Sequence, residues 1–339
     1  MHAGKSFGLL EAILWTRRAI FRFLIISTIP TVLYAVFEVK QIGLPWVPIA
    51  LIGTAVAFLI GFKNNATYDR LWEARKIWGA IINTSRTWGI MSRDFVTNRH
   101  ATKSLSEPEL SKIHRRLVYR HIAWVNALRY QLRQPRTWET LTSKENREYK
   151  KTYVVPEEVV KIEEILGNFL DNKELEEILK TKNPATQIIA RQSADLKELL
   201  NKGLIEDFRH MEMENILKEL YDHQGKSERI KNFPYPRQFA TLNLYFVWLF
   251  LILIPFGMLP EFQKLGDYFV WLTIPFSTLV SWVFHTMEKI GEATENPFQG
   301  GANDIPMAAL SRTIEIDLRE MLGEQDLPEP LTPTKSILM

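Results

Sequence analysis

Two stretches of this chain, Ile42 to Phe62 and Phe239 to Leu259, each run for 21 residues without a charged side chain. A helix rises about 1.5 Å per residue, so either stretch spans the ~30 Å hydrocarbon core of a bilayer. Inside hydrocarbon the backbone must satisfy its own hydrogen bonds, which leaves helices as the form such segments take. Two further segments qualify with less margin: Phe23 to Phe37 with its flanks, and the aromatic-rich Tyr268 to Met287. The first is short and interrupted by Pro30, so it is expected to extend past Arg22 or to tilt. A buried helix of a soluble protein is the rival explanation for an apolar run, but such helices are usually shorter.

The rest of the chain differs sharply. Residues 63–238 hold 32 Lys/Arg and 25 Asp/Glu, and the average over both parts gives a mean hydropathy of only −0.11. Lys and Arg near span ends set orientation. The linkers Glu38 to Gln41 and Pro260 to Asp267 carry one Lys each, whereas Arg17, Arg18, Arg22, Lys63, Arg70, Arg75, Lys76, Arg229, Lys231 and Arg237 crowd the opposite ends. Both termini and the central region are therefore expected on the cytoplasmic side of a cell membrane. His2 to Arg22 shows no secretory cleavage pattern, so the first apolar run is expected to stay in the mature protein. The basic balance fits attraction to anionic membrane lipid, and no basic cluster accompanies a nucleic-acid recognition motif. There is no cysteine, hence no disulfide or thiolate metal site.

The resulting fold class is all-α, an integral membrane protein with four transmembrane helices and a large cytoplasmic helical region. Four parts are expected: residues 1–97, the first two spans with a cytoplasmic extension of the second; 98–238, a cytoplasmic helical region; 239–287, the third and fourth spans; and 288–339, an acidic tail. Lys63 to Phe95 contains no proline and repeats Leu71, Trp72, Trp78, Ile81, Ile82 and Trp88 at helical spacing, so the second span should continue as one helix. Ser106 to Glu109 has the form of a capping box. Pro135, Thr142, Ser143 and the charged run Lys144 to Lys151 read as a loop. Helices are expected over Pro156 to Leu170, Asn172 to Lys180, Pro184 to Leu200 and Ile205 to Tyr221. The tail carries ten Asp/Glu against four Lys/Arg and could wrap on the basic body, its last residues being extended or disordered around Pro328, Pro330 and Pro333.

Enzyme signatures are missing. None of His2, His100, His114, His121, His210, His223 and His285 belongs to an H-E-x-x-H pair, and no phosphate-binding glycine loop occurs. The many glutamates are expected on solvated helix faces rather than as an acid/base pair. Four spans are too few to enclose a wide path, but a symmetric ring of subunits could close one on its axis. The second span suits the wall, being uncharged and carrying the small residues Ala50, Gly53, Ala55, Ala57 and Gly61. Thr54, Phe58 and Phe62 form a stripe at i, i+4 and i+8, which by spacing alone reads as lipid or core packing.

A resemblance changes that weighting. GFKNNATYDRLWEARKIWG at Gly61 to Gly79 resembles the signature of bacterial bestrophins just after their pore-forming span. ERIKNFPYP at Glu228 to Pro236 and ENPF at Glu295 to Phe298 resemble two further segments of that family, in the same order over nearly the whole chain. Bestrophins are pentameric channels for chloride and other small inorganic anions, with a narrow membrane neck and a second cytoplasmic constriction. The resemblance implies a homo-oligomer, a pentamer, with neck rings at Thr54, Phe58 and Phe62. It implies a cytoplasmic constriction near Phe208, with Ile205 and Met211 as alternatives of helix phase. Lys63 and the basic surface would concentrate anions if they face the conduit.

In animal bestrophins a carboxylate run after Asn-Pro-Phe helps bind calcium. Here that run reads Gln299, Gly300, Gly301, Ala302, Asn303, Asp304, too few oxygens of the right charge for a six- to eight-coordinate ion. Asn296 and Asp304 match the family's ligand positions, but capping and turn formation suit them better, and no cofactor is expected. Alternatives are a homologue conducting monovalent cations, a non-conducting membrane scaffold or signalling protein, and a secondary transporter, although the spans lack mid-membrane charges for the last.

Overall fold

The computed structural model describes residues 1–140 and 144–339. Among them the structure is helical, with no strand beyond two isolated bridges. Among the described residues four helices are long and apolar enough to cross a membrane. The first, α1 (Leu9–Ala35), starts at Gly8, whose amide donates to Glu11 Oε2 at 3.1 Å, so the weak first span does extend past Arg22. Pro30 sits inside it without ending it. The second, α2 (Trp46–Asp94), is one unbroken helix of 49 residues, ~73 Å at 1.5 Å per residue. It begins later than the uncharged run, after a 3₁₀ turn at Lys40–Ile42: Gly43 and Pro45 are extended, and Leu44 between them, as the residue before a proline, is disfavoured from the helical region.

The last two spans are α10 (Arg237–Gln263) and α11 (Thr273–Thr294), joined through a 3₁₀ turn at Asp267–Leu272. Helix α2 packs on α10 and α11, and α1 packs on α11. Their shared core holds Phe23, Ile49, Val56, Ile60, Val247, Phe250 and Ile254. Glycines set the α2–α10 distance: a Cβ on Gly53 would stand 2.6 Å from the Phe250 ring, and one on Gly257 2.6 Å from Ile49 Cδ1.

Below the spans, α2 becomes the central post of the helical body. Around it lie α3 (Glu107–Arg133), α4 (Lys144–Lys150), α5 (Pro156–Val159), α6 (Ile162–Leu166), α7 (Asn172–Leu179), α8 (Pro184–Asn201), α9 (Asp207–Asn232) and α12 (Met307–Met321). Trp78, Trp88 and Trp124 fill its core. Two indole N–H groups find partners there, Trp88 on the Leu117 carbonyl at 3.3 Å and Trp124 on Gln224 Oε1 at 2.9 Å. The capping box of α3 forms, with the Ser106 amide donating to Glu109 Oε2 at 2.8 Å. Helix α9 runs on to Asn232 and ends before the Phe233-Pro234 step.

Several expectations need correction. The charged run from Lys144 forms α4 instead of a loop, anchored by Glu148, which accepts from both Arg17 and Arg18 of α1; Thr142 and Ser143 lie outside the described residues. Pro156 to Leu170 is two short helices, parted where Val160 and Lys161 are extended. β-Branched Val159 and Val160 are poor company for a continuous helix. Nor do the glutamates all face solvent: Glu157, Glu174, Glu288 and Glu295 are buried against Arg or Lys partners. The tail is ordered onto the body. Asp317 meets Arg86 at 2.7 Å, Glu324 meets Arg115 at 3.5 Å, and Gly89 leaves room for Leu318. Beyond Pro333 the chain makes a tight turn at Lys335 and Ser336, closed between Thr334 and Ile337, and joins the N-terminus, Ala3 donating to the Ser336 carbonyl at 2.7 Å and Leu338 to that of Met1 at 2.8 Å.

Candidate conduction surface

The face of α2 that the subunit leaves open is the one carrying the sequence stripe. Only 17% of the apolar window of α2 is buried within the chain, against 44% for α10 and 33% for α1 and α11. Phe58 and Phe62 are 66% and 68% exposed, and Thr54 is exposed beside them. With Ala50, Ala57 and Gly61 they line an open groove of about 750 Å³, backed by Phe250 and Phe284. The Thr54 hydroxyl donates back to the Ala50 carbonyl at 3.0 Å, so its donor is satisfied within the helix. The structure thus brings Thr54, Phe58 and Phe62 together on one uncharged surface.

Lys63, the next residue, points elsewhere. Its side chain is 5% exposed and its Nζ lies 2.6 Å from Glu288 Oε1 of α11, so it does not offer charge to an open conduit. A turn of about 100° per residue carries it off the Phe58–Phe62 face, and the buried carboxylate holds it there. Glu288 was the partner hardest to see in the sequence; the one signal was an acidic residue at the end of an otherwise apolar span.

The cytoplasmic candidates separate cleanly. Phe208 and Met211, on the first turns of α9, are 79% and 57% exposed. Ile205 is 2% exposed and belongs to the body core, which removes it as an alternative, because its side chain is spent on packing before α9 begins.

At the calcium-clasp positions, Asp304 is buried and its Oδ2 takes the amide hydrogens of Gly300 at 2.7 Å and Gly301 at 3.0 Å. The same oxygen lies 3.7 Å from Arg133 Nη1. Gln299 Oε1 accepts from the Thr140 amide at 3.1 Å, and Asn296 is buried, its Nδ2 without a partner among the described residues. A guanidinium this close and a carboxylate spent on a turn do not fit a cation that needs several carboxylate oxygens. Among the described residues no group of three His, Asp or Glu stands together as a metal site.

Residues 10–320 match the family described as Bacterial/Fungal Bestrophin protein. The chain is a bestrophin. It is 27% identical over 289 residues to the voltage-dependent anion channel-forming protein YneE of Salmonella typhi, covering 85% of this bestrophin and 80% of that protein. It is 26% identical over 297 residues to the voltage-dependent anion channel-forming protein RSc3414 of Ralstonia nicotianae, covering 88% and 84%. The crystal structure of a bacterial bestrophin homologue from Klebsiella pneumoniae superimposes with a TM-score of 0.74 at 26% identity, covering 91% of this bestrophin and 99% of that chain.

Proposed function

We propose that this bestrophin is the subunit of an anion channel, in which five copies surround an axis and α2 lines the path. One observation carries the proposal: the longest and least buried span turns an uncharged face with Thr54, Phe58 and Phe62 outward, and that face has no cover among the described residues. The names of the relatives support an anion as the conducted species. Rings of Phe58 and Phe62 form a neck that shuts to hydrated ions by dewetting, without closing mechanically. Phenylalanine edges are electropositive, which eases a partly dehydrated anion past them, whereas ring faces would favour a cation. Phe208, at the exposed start of α9, forms the second constriction, with Met211 one turn along.

The body and both termini lie together at one end of the spans, and the basic residues flanking that end support a cytoplasmic position for it. Calcium is not part of gating, since Asp304 is committed to Gly300, Gly301 and Arg133. The test is flux from liposomes holding purified protein. Phe58→Ala and Phe62→Ala should each raise chloride flux several-fold, and reversal potentials in asymmetric salt should follow the anion gradient. Chelating calcium should leave both unchanged. Flux indifferent to both substitutions would remove the neck from α2, and reversal toward the cation gradient would overturn the anion assignment.

A further inference from the structure

The neck face of α2 continues directly into a short polar zone where the helix is fastened to α11. Lys63 Nζ meets Glu288 Oε1 at 2.6 Å, with side-chain exposures of 5% and 2%. Asn64 Nδ2 donates to the Met287 carbonyl at 3.0 Å. One turn below, Thr294 Oγ1 donates to Thr67 Oγ1 at 3.0 Å. The helices approach closely enough here that a Cβ on Gly291 would stand 2.2 Å from Asn64 Oδ1. Higher up, the contact of α2 with α10 is apolar, Phe250 against Gly53. Apolar packing tolerates a small rotation of one helix against another, whereas a buried charge pair does not.

From this arrangement we infer that Lys63 and Glu288 are positioning residues for the neck, fixing the rotation of α2 so that Phe58 and Phe62 face the path. Resting on the channel proposal above, it assigns a role to a pair outside the conduit. Helical geometry gives the lever: Lys63 lies about 100° round the axis from Phe62 and about 140° from Phe58, so tying Lys63 to α11 fixes the direction in which both rings point. Stability is a poor reason for the pair. Burying two charges seldom gains over apolar packing, and Glu288 Oε2 receives no hydrogen bond among the described residues. What the pair supplies is a single angular setting.

The test uses the purified full-length assembly in bilayers, with single-channel recording. Lys63→Met and Glu288→Gln should each change unit conductance or the anion-to-cation permeability ratio by about threefold or more, and Lys63→Glu combined with Glu288→Lys should recover most of that change. The chain has no cysteine, so Phe62→Cys and Leu59→Cys can be read separately with a water-soluble thiol reagent. With Lys63 and Glu288 intact, Phe62→Cys should react faster; adding Glu288→Gln should narrow or reverse the difference. Where Lys63→Met yields too little assembly, Lys63→Arg, which keeps the charge on a longer head, should assemble and give an intermediate shift. Variants that only lower the amount of assembled protein, with conductance, selectivity and thiol pattern unchanged, would reduce the pair to an ordinary structural bridge. Should Phe58→Ala and Phe62→Ala also leave conduction untouched, the channel proposal fails; should they act while the pair does not, only the positioning role fails.

Discussion

Asp304 and Arg133 face each other at 3.7 Å in a buried pocket of the body, where two glycine amides also point at the carboxylate. Burial outweighs these partners and pushes the Asp304 pKa from 3.8 up to about 6. A raised folded-state value means that the native protein holds the proton more tightly than the unfolded chain. The stabilisation is therefore complete below about pH 4 and is lost as pH rises through about 6, a swing of about 3 kcal/mol. Thermal unfolding followed from pH 4 to 7 should show this decline, and Asp304→Asn should abolish it.

His121 works in the opposite sense. Its ring lies between Trp88 and Trp124, with centroids 6.1 and 5.3 Å away, and its Nε2 is 2.8 Å from Ser85 Oγ. Full burial lowers its pKa from 6.5 to about 3, so it stays neutral in the folded body. Its contribution is present above about pH 6.5 and falls away as pH drops toward 3, by up to about 5 kcal/mol. In unfolding curves, His121→Gln should flatten the acid limb that Asp304→Asn leaves in place.

Arg120 binds two carboxylates at once, Glu174 at 2.6 Å and Asp195 at 2.7 Å, with all three side chains at most 10% exposed. Removing the cation strands buried negative charge. Arg120→Met is expected to cost about 3–5 kcal/mol in denaturant unfolding, softened to the extent that Arg116 still holds Asp195.

Two glycines with left-handed backbone give a matched comparison. At Gly203 (φ +68°) a Cβ would fall 2.2 Å from the His100 carbonyl oxygen, whereas at Gly323 (φ +78°) it would meet nothing within 4 Å. Gly323→Ala should cost only the conformational penalty, about 1 kcal/mol. Gly203→Ala should cost more, about 3 kcal/mol, because backbone must move as well. Melting temperatures of the two variants in the same detergent compare them directly.

What could be read from the sequence depended on whether the signal was local. The spans were legible because a helix of 21 residues without one charge has no wet face to offer and belongs in hydrocarbon, and α2 because no proline interrupts Lys63 to Phe95. Helical period put Thr54, Phe58 and Phe62 on one stripe, but by spacing alone that stripe read as lipid or core packing, and only the family resemblance set it toward a neck. The direction of Lys63 was left open because its partner lies 225 positions away, beyond any periodicity. Ile205 failed for a similar reason: a residue just before a helix start has no phase to extrapolate, and tertiary packing decided it. The buried glutamates and α4 were hidden because a charged stretch looks the same in sequence whether water or an arginine answers it.

Since α2 contains no hinge over its 49 residues, it behaves as a torsion bar driven through bilayer and body alike. A few degrees of twist applied among Trp78 and Trp88 at the foot has no joint to absorb it and loads the Lys63–Glu288 fastening on its way to Phe58. The tail helix grips that foot through Leu318 and Asp317, so anything that pulls on the far end of the polypeptide pulls on the same helix that carries Thr54, Phe58 and Phe62.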